Sequence, residues 1–212
     1  IAELCDLSVY GYTNETRNSE KVSDITNLTS GRYYVEVKKK ENANINISSV
    51  KNGEEELSYS ASASAYTGDV EITDANLTIS VEYKKYYKVT IQWNSENGEV
   101  TVDDINHDEQ SAGKLVQTVM EDGTLIISAI PTTGYQLTDF TVDSVSVMDD
   151  LVNNSEKGSK EYTVENLDKD ITVNVTFAIM SYSITVPSTI AHGTVSASST
   201  SIDYNQSVDI TL

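Results

Sequence analysis

The chain resembles itself at a nearly fixed interval. "YKVTIQWNSENGEVTV", from Tyr87, aligns with "YSITVPSTIAHGTVSA", from Tyr182: Tyr87 meets Tyr182, Val89 meets Ile184, Ile91 meets Val186, Gly98 meets Gly193 and Val100 meets Val195, always at 182 − 87 = 95 residues. "GRYYVEVKKKENANINISSV", from Gly31, aligns with "GTLIISAIPTTGYQLTDFTV", from Gly123, at 123 − 31 = 92; Tyr33 meets Leu125, Val35 meets Ile127, Ile45 meets Leu137 and Val50 meets Val142. "VEITDANLTISVEY", from Val70, aligns with "VENLDKDITVNVTF", from Val164, at 164 − 70 = 94. Self-similarity at a fixed period marks a repeated folding unit. The sequence therefore predicts three copies: residues 1–84, residues 85–178, and a third copy, 179–212, that carries only the first half of the pattern. Copy two has an extra segment, an inserted loop or short helix near 103–117; the best helical candidate in the chain, "EQSAGKLVQTVME", overlaps it and is weakened by Gly113.

Each copy reads as short strands. "KVTIQW", "TLIISAI", "QLTDFTV" and "ITVNVTF" alternate or run apolar with β-branched residues, the pattern of a pleated surface with one buried face. In "ITVNVTF", Ile171, Val173, Val175 and Phe177 share one side and Thr172, Asn174 and Thr176 the other. Turn residues separate the strands. Asn97-Gly98 and Asn52-Gly53 suit hairpins with positive φ. In "PTTGY", Pro131 fixes one φ and Gly134 frees another, so the chain reverses. The expected fold class is all-β: tandem small antiparallel β modules, sandwich-like or β-grasp-like, in an elongated arrangement with an incomplete C-terminal module. The half module is expected to lean on module two or to pair its open edges with another chain. The joints "YKKYY" and "FAIMSY" are short and partly apolar, unlike flexible Gly/Ser linkers.

Charge and cysteine usage narrow the function classes. The 33 acidic and 14 basic residues give a formal net charge of −19. Such a surface repels a phosphate backbone and an anionic membrane, so nucleic-acid binding and membrane insertion of this segment are not expected. No stretch of 18 apolar residues occurs, and the opening residues do not read as a signal peptide, so the chain is expected to be a mature or excised piece of something longer. One cysteine, Cys5, allows no internal disulfide. It also raises the idea of a Cys–Gln thioester, and the many Lys and Asn that of an isopeptide bond, but no diagnostic pairing is readable.

Motifs for chemistry are absent from the pattern. The acid pairs Asp103-Asp104, Asp149-Asp150 and Asp168-Lys169-Asp170 lie at expected turns and lack the spacing of a helix–loop–helix calcium site. No zinc or phosphate-loop signature occurs, and nothing sets a base beside a nucleophile. The expectation is no cofactor, no metal and no catalytic residue. Tyrosines offer a different opportunity: Tyr10, Tyr12, Tyr33, Tyr34, Tyr86, Tyr87 and Trp93 compose a candidate sugar platform, of which Tyr86, Tyr87 and Trp93 are the candidate ligand-contacting residues. Asn97, Gly98, Pro131 and Gly134 are read as structural turn residues.

The order Y-x-V-T-I, N-G-x-V-T-V, then A-x-P-x-x-G-Y-x-L-x-x-F and finally I-T-V-x-V-x-F, from Tyr87 to Phe177, resembles the divergent internalin-type B-repeats, related to the Listeria–Bacteroides repeats, of bacterial surface proteins. Ala129, Pro131, Gly134, Tyr135 and Phe140 carry most of it; Phe140 stands where the family usually has Trp, and copy one lacks the Pro-x-x-Gly-Tyr core. The resemblance implies a non-catalytic tandem segment of a secreted or wall-attached protein, acting as a stalk, spacer or adhesin fibre module. The alternatives are a module binding a glycan or a host protein, and an accessory domain of a larger secreted enzyme. Head-to-tail or edge-strand self-association is the expected mode of contact between copies.

Overall fold

The computed structural model describes residues 2–73, 77–103, 108–187 and 190–212. The chain divides into two compact units, Ile1–Tyr86 and Tyr87–Leu212. The first holds β1 (Cys5–Thr13), β2 (Thr16–Lys21), β3 (Gly31–Lys39), β4 (Ile45–Asn52), β5 (Glu55–Glu56), β6 (Ser58–Ser60), β7 (Ala65–Ile72) and β8 (Ile79–Trp93) as far as Tyr86. The second holds the rest of β8, then β9 (Gly98–Val102), β10 (Glu109–Ser111), β11 (Lys114–Met120), β12 (Leu125–Pro131), β13 (Tyr135–Val142), β14 (Val145–Ser146), β15 (Val152–Asn154), β16 (Ser159–Val164) and β17 (Ile171–Ile179). Four short strands close the chain: β18 (Ser181–Ser183), β19 (Ser196–Ala197), β20 (Ser201–Asp203) and β21 (Ile210–Thr211). A 3-10 turn at Met148–Asp150 is the sole helical element among the described residues. The fold is all-β.

In the first unit the sheet β2-β1-β3-β7-β6 faces a smaller one in which β4 lies between β5 and β8. Val9, Val35, Val37 and Val70 project from the first sheet and Ile45 and Val50 from the second into one core. Period-2 alternation turns the intervening residues to the opposite face of each sheet. The second unit stacks β15-β16-β12-β9 on β10-β11-β8-β17-β13-β14. Leu125, Ile127 and Ala129 there meet Val89, Ile91, Phe140, Val173 and Phe177. Both are two-layer sandwiches.

The two units share one pairing scheme. In the first, β3 pairs antiparallel with β1 and β7, β7 with β6, β4 with β5 and β8. In the second, β12 pairs antiparallel with β9 and β16, β16 with β15, β13 with β14 and β17. The agreement extends to register. Tyr33 faces Val70 and Val35 faces Gly68; Leu125 faces Val164 and Ile127 faces Tyr162.

The strand after the central turn corrects the sequence alignment. Both β4 and β13 carry a bulge, at Ser48 between Ile47 and Ser49 and at Thr138 between Leu137 and Asp139. Matching the bulges gives 138 − 48 = 90 residues, not 92. Ile45 therefore corresponds to Tyr135, Ile47 to Leu137, and Val50, fully buried, to the equally buried Phe140. The turn explains the two-residue slip: it takes residues 40–44 in the first unit and 132–134 in the second. The bulges also carry the same bond. The Ser48 hydroxyl donates to the Glu82 carbonyl (3.2 Å), and the Thr138 hydroxyl donates to the Thr176 carbonyl (3.2 Å).

Three local features differ from what the sequence predicts. Within the segment 103–117, expected as a loop or short helix, residues from 109 onward enter the hairpin β10–β11, turning at Gly113 with φ +77; residues 104–107 of that segment lie outside the described residues. The modules are not purely antiparallel, because β8 runs parallel to β17, with Val89 facing Ile171 and Ile91 facing Val173. Finally, Asn97-Gly98 adopts no positive φ, whereas Gly53 does (φ +62). Gly98 is needed for space instead: a Cβ there would sit 2.5 Å from the Phe177 ring. Phe177 in turn is held by Asn94, which accepts from its amide (3.1 Å) and donates to its carbonyl (2.9 Å).

The described residues of the last segment meet the rest of the second unit at Gly134. The Tyr204 ring lies over Gly134, where a Cβ would come within 2.2 Å. The Met180 amide donates to the Gly134 carbonyl (2.8 Å) and the Tyr204 amide to the Met180 carbonyl (2.8 Å). No described residue from 181 to 212 is buried.

Placing a methyl beneath the Phe177 ring overpacks a filled core, which costs about 1–3 kcal/mol. Gly98→Ala is expected to lower the urea midpoint of the second unit's transition while leaving its slope unchanged. A midpoint equal to the parent's contradicts the packing described.

Candidate recognition surface

The solvent side of the five-stranded sheet carries an organised polar cluster. It follows from strand alternation. With Val9, Val35, Val37 and Val70 facing inward, Tyr10 and Tyr34 stand opposite each other outside, ring centroids 6.2 Å apart. The same alternation places Arg32, Glu36 and Asp69 outside. Arg17, on β2, lays its guanidinium over Tyr34 (4.2 Å) and Tyr10 (5.5 Å) and lies 3.7 Å from Glu36, which also accepts from the Tyr10 hydroxyl (3.3 Å). Arg32 repeats the arrangement: it covers Tyr12 (4.6 Å) and pairs with Asp69 (2.7 Å), which accepts from the Tyr12 hydroxyl.

Each group shifts its neighbours. The Tyr12 hydroxyl, then the Arg32 guanidinium, hold the Asp69 carboxyl below its ordinary value. The bond to Asp69 raises the Tyr12 phenol, and Asp69 raises Arg32. Burial, then Glu36, raises Tyr10. Arg32 and Asp69 keep nearly half their side-chain surface in water (48% and 42%), so such ion pairs add little to stability. Their effect is orientation. Three tyrosines and two arginines are held in fixed poses on one sheet, the residue types over-represented at binding hot spots.

A second concavity, of about 530 Å³, opens where Tyr59 and Tyr66 meet edge to face (5.3 Å). Tyr59 is 60% exposed, and Lys38, Lys39 and Asn46 stand at the rim.

The residues singled out from sequence lie elsewhere. Tyr87 and Trp93 are half-buried and pack against the core of the second unit. The Trp93 amide donates to the Gly113 carbonyl (3.0 Å). Tyr86 is half-buried, its peptide bracketed by Asn44: the Tyr86 amide donates to the Asn44 carbonyl (3.0 Å), and the Asn44 side chain donates to the Tyr86 carbonyl (2.6 Å). Tyr33 packs against the first core. Asn97, Gly98 and Pro131 do meet: Pro131 faces Gly98 in the β12–β9 ladder, and the Thr132 amide donates to the Asn97 carbonyl (3.0 Å). Gly134 has φ +87 and completes that turn. Of the aromatic set, Tyr10, Tyr12 and Tyr34 share an exposed face. Sequence reasoning missed Arg17 and Arg32. The signal was present in "RYYVEV", where Arg32, Tyr34 and Glu36 alternate with the buried Val35 and Val37.

The acidic groups act as local braces. Asp103 accepts from the Ile126 amide (2.9 Å), Asp170 from the Lys88 amide (2.8 Å), and Asp143 from the Thr172 amide (2.9 Å) and Lys169 (2.6 Å). Among the described residues no three His, Cys, Asp or Glu side chains converge to hold a metal; Asp104 and His107 lie outside them. Cys5 is buried, and burial pushes its thiol up, the setting of an unreactive structural cysteine. No described helix is long and apolar enough to cross a membrane. No protein-family model matches the chain, and no curated protein matches it.

The Tyr12–Asp69 bond has a definite titration signature. Tyr12 is expected to ionise above the ordinary 10.0, and to fall back towards it in Asp69→Asn, followed by ring-proton NMR. Because the Asp69 carboxyl is lowered by folding, its contribution to stability is present above the ordinary carboxylate value of 3.8 and is lost as pH falls through the folded value. A Tyr12 titration unmoved by Asp69→Asn contradicts the cluster.

Proposed function

We propose that the chain is a non-catalytic tandem-repeat segment of a bacterial extracellular or cell-surface protein, serving as a stalk, spacer or adhesin fibre module. One observation carries this reading: residues 31–85 and 123–179 use the same strand pairings, down to a bulge whose hydroxyl bonds the same carbonyl. What has been duplicated is backbone geometry. The side chains that vary between the units, such as Tyr34 against Ile126 or Lys39 against Pro131, are not a set of reacting groups. A spacer needs this combination: sandwiches joined without a long linker, and a net charge of −19 that keeps exposed sheet edges apart. The resemblance to the B-repeats of bacterial surface proteins points to the same location, attached to the cell wall through a part outside these residues.

A second reading, recognition of a glycan or a host protein, is favoured by the Arg17–Tyr34–Tyr10 and Arg32–Tyr12–Asp69 groups. Tyrosine and arginine held in register offer stacking surface and donors at little entropic cost. On a glycan array this reading predicts binding that Arg17→Ala reduces.

The location is tested on cells of the source. An antibody raised against the 212-residue chain is expected to label intact, unpermeabilised cells. Labelling that requires permeabilisation contradicts a surface segment.

A further inference from the structure

Where the two units differ at corresponding positions, the shared pairing scheme does not dictate the residue. Several such differences gather around one place, the cleft of about 530 Å³ in the first unit. Tyr59 faces Tyr66 in the β6–β7 ladder; the corresponding pair in β15–β16 is Asn153 and Lys160. Lys38 and Lys39 correspond to Ile130 and Pro131. The β6–β7 turn holds Ser64 at φ +51, where the β15–β16 turn has Gly158 at φ +66. Glycine adopts that conformation freely and serine does not. The fold therefore builds without the tyrosine pair, the two lysines and the serine, and all five line the cleft.

Their arrangement is that of a small-molecule site. Tyr66 donates its hydroxyl to the Ile47 carbonyl (2.9 Å), and Tyr59 meets the Tyr66 ring edge to face (5.3 Å). Both rings are held, yet Tyr59 stays 60% exposed, so core packing does not account for it. The buried Val37 and Ile45 add apolar lining. Lys38 and Lys39 are exposed, and no ion pair among the described residues uses either. Asp6, opposite Lys38 in the β1–β3 ladder, lies 3.9 Å from Lys40 instead. In a chain of net charge −19 the two free ammonium groups are a local reversal of sign. Glu41 and Asn46 add hydrogen-bond acceptors and a donor. Small-molecule sites have volumes of about 300–1,000 Å³, aromatic and aliphatic walls and a few convergent polar groups, and this cleft has all three.

We propose that the cleft binds an acidic saccharide, a mono- or disaccharide unit bearing an anionic group. A sugar ring has an apolar C–H face and a rim of hydroxyls. The C–H face packs on the exposed Tyr59 ring, the hydroxyls exchange hydrogen bonds with Asn46 and Glu41, and the anionic group meets Lys38 and Lys39. Lysine is a compact charge without a planar fork, so carboxylated and sulfated sugars both satisfy it. A neutral sugar leaves the two ammonium groups without a partner. The inference rests on the recognition reading, that this chain binds a glycan, and moves the contact from the outer sheet face to the cleft.

An array of carboxylated, sulfated and neutral oligosaccharides, probed with the full 212-residue chain, tests it. The parent is expected to bind acidic members and not their neutral counterparts, and to bind them more weakly as salt rises, because the deciding contact is ionic. Tyr59→Ala and the double variant Lys38→Gln/Lys39→Gln are each expected to weaken binding about tenfold or more. All three side chains are exposed, so both variants are expected to keep the parent's urea midpoint. Neutral and acidic saccharides bound alike, or acidic binding that either cleft variant leaves unweakened, overturns the proposal. Arg17→Ala tells the two surfaces apart: binding lost in that variant and kept in both cleft variants overturns the cleft and leaves glycan recognition on the outer face. A chain that binds no saccharide removes the cleft and the glycan reading together, and leaves the spacer reading standing.

Discussion

Both units depend on the antiparallel ladder that joins the strand after the central turn to the last strand: β4 with β8, and β13 with β17. This ladder sets which residues face the core. A one-residue slip in a strand would turn every side chain to the wrong layer, so Val50 and Phe140 are buried only while their register against Val81 and Val175 holds. The bulge within the ladder is the element that fixes it. The extra residue leaves the Glu82 or Thr176 carbonyl in need of a donor, and the hydroxyl of Ser48 or Thr138 supplies one. Serine and threonine are interchangeable there because only the hydroxyl is used.

From that ladder the rest can be followed outward. Fixing β17 places Phe177, whose ring requires a residue without Cβ at position 98. Cys5 stands at the corresponding position of the first unit, facing Lys39 as Gly98 faces Pro131, and Tyr83 corresponds to Phe177. Cys5 is a buried member of the first core and Tyr83 packs half-buried against that core. Fixing β3 and β7 sets the outer face of the first unit, where alternate residues align two arginines over three tyrosines.

Much of the fold was legible in the sequence, because alternation and self-similarity are direct consequences of strands and of their repetition. "ITVNVTF" reads as a half-buried strand, and it is one. Misreadings arose where one signal has two physical causes. A glycine after asparagine marks a tight turn at Gly53 but a close aromatic contact at Gly98. "KLVQTVM" has too few residues to separate helix from strand by period, and pairing in the hairpin β10–β11 decides it. The alignment of β4 with β13 slipped by two because apolar residues recur every second position, so an even shift preserves the pattern while moving every partner. The candidate surface was half legible: tyrosines were visible, but Tyr87 and Trp93 pack half-buried against the core of the second unit, while Arg17 sits on a strand whose neighbours no sequence pattern names.

The central claim is that one strand-pairing scheme, bulge included, is built twice along this chain. Inter-strand nuclear Overhauser contacts test it most directly. A repeated scheme predicts backbone contacts between Val50 and Val81 and between Phe140 and Val175, with Ser48 and Thr138 each displaced from the ladder. A β4–β8 ladder in which Val50 meets a residue other than Val81, or a regular ladder through Ser48 beside a bulged one through Thr138, would contradict it.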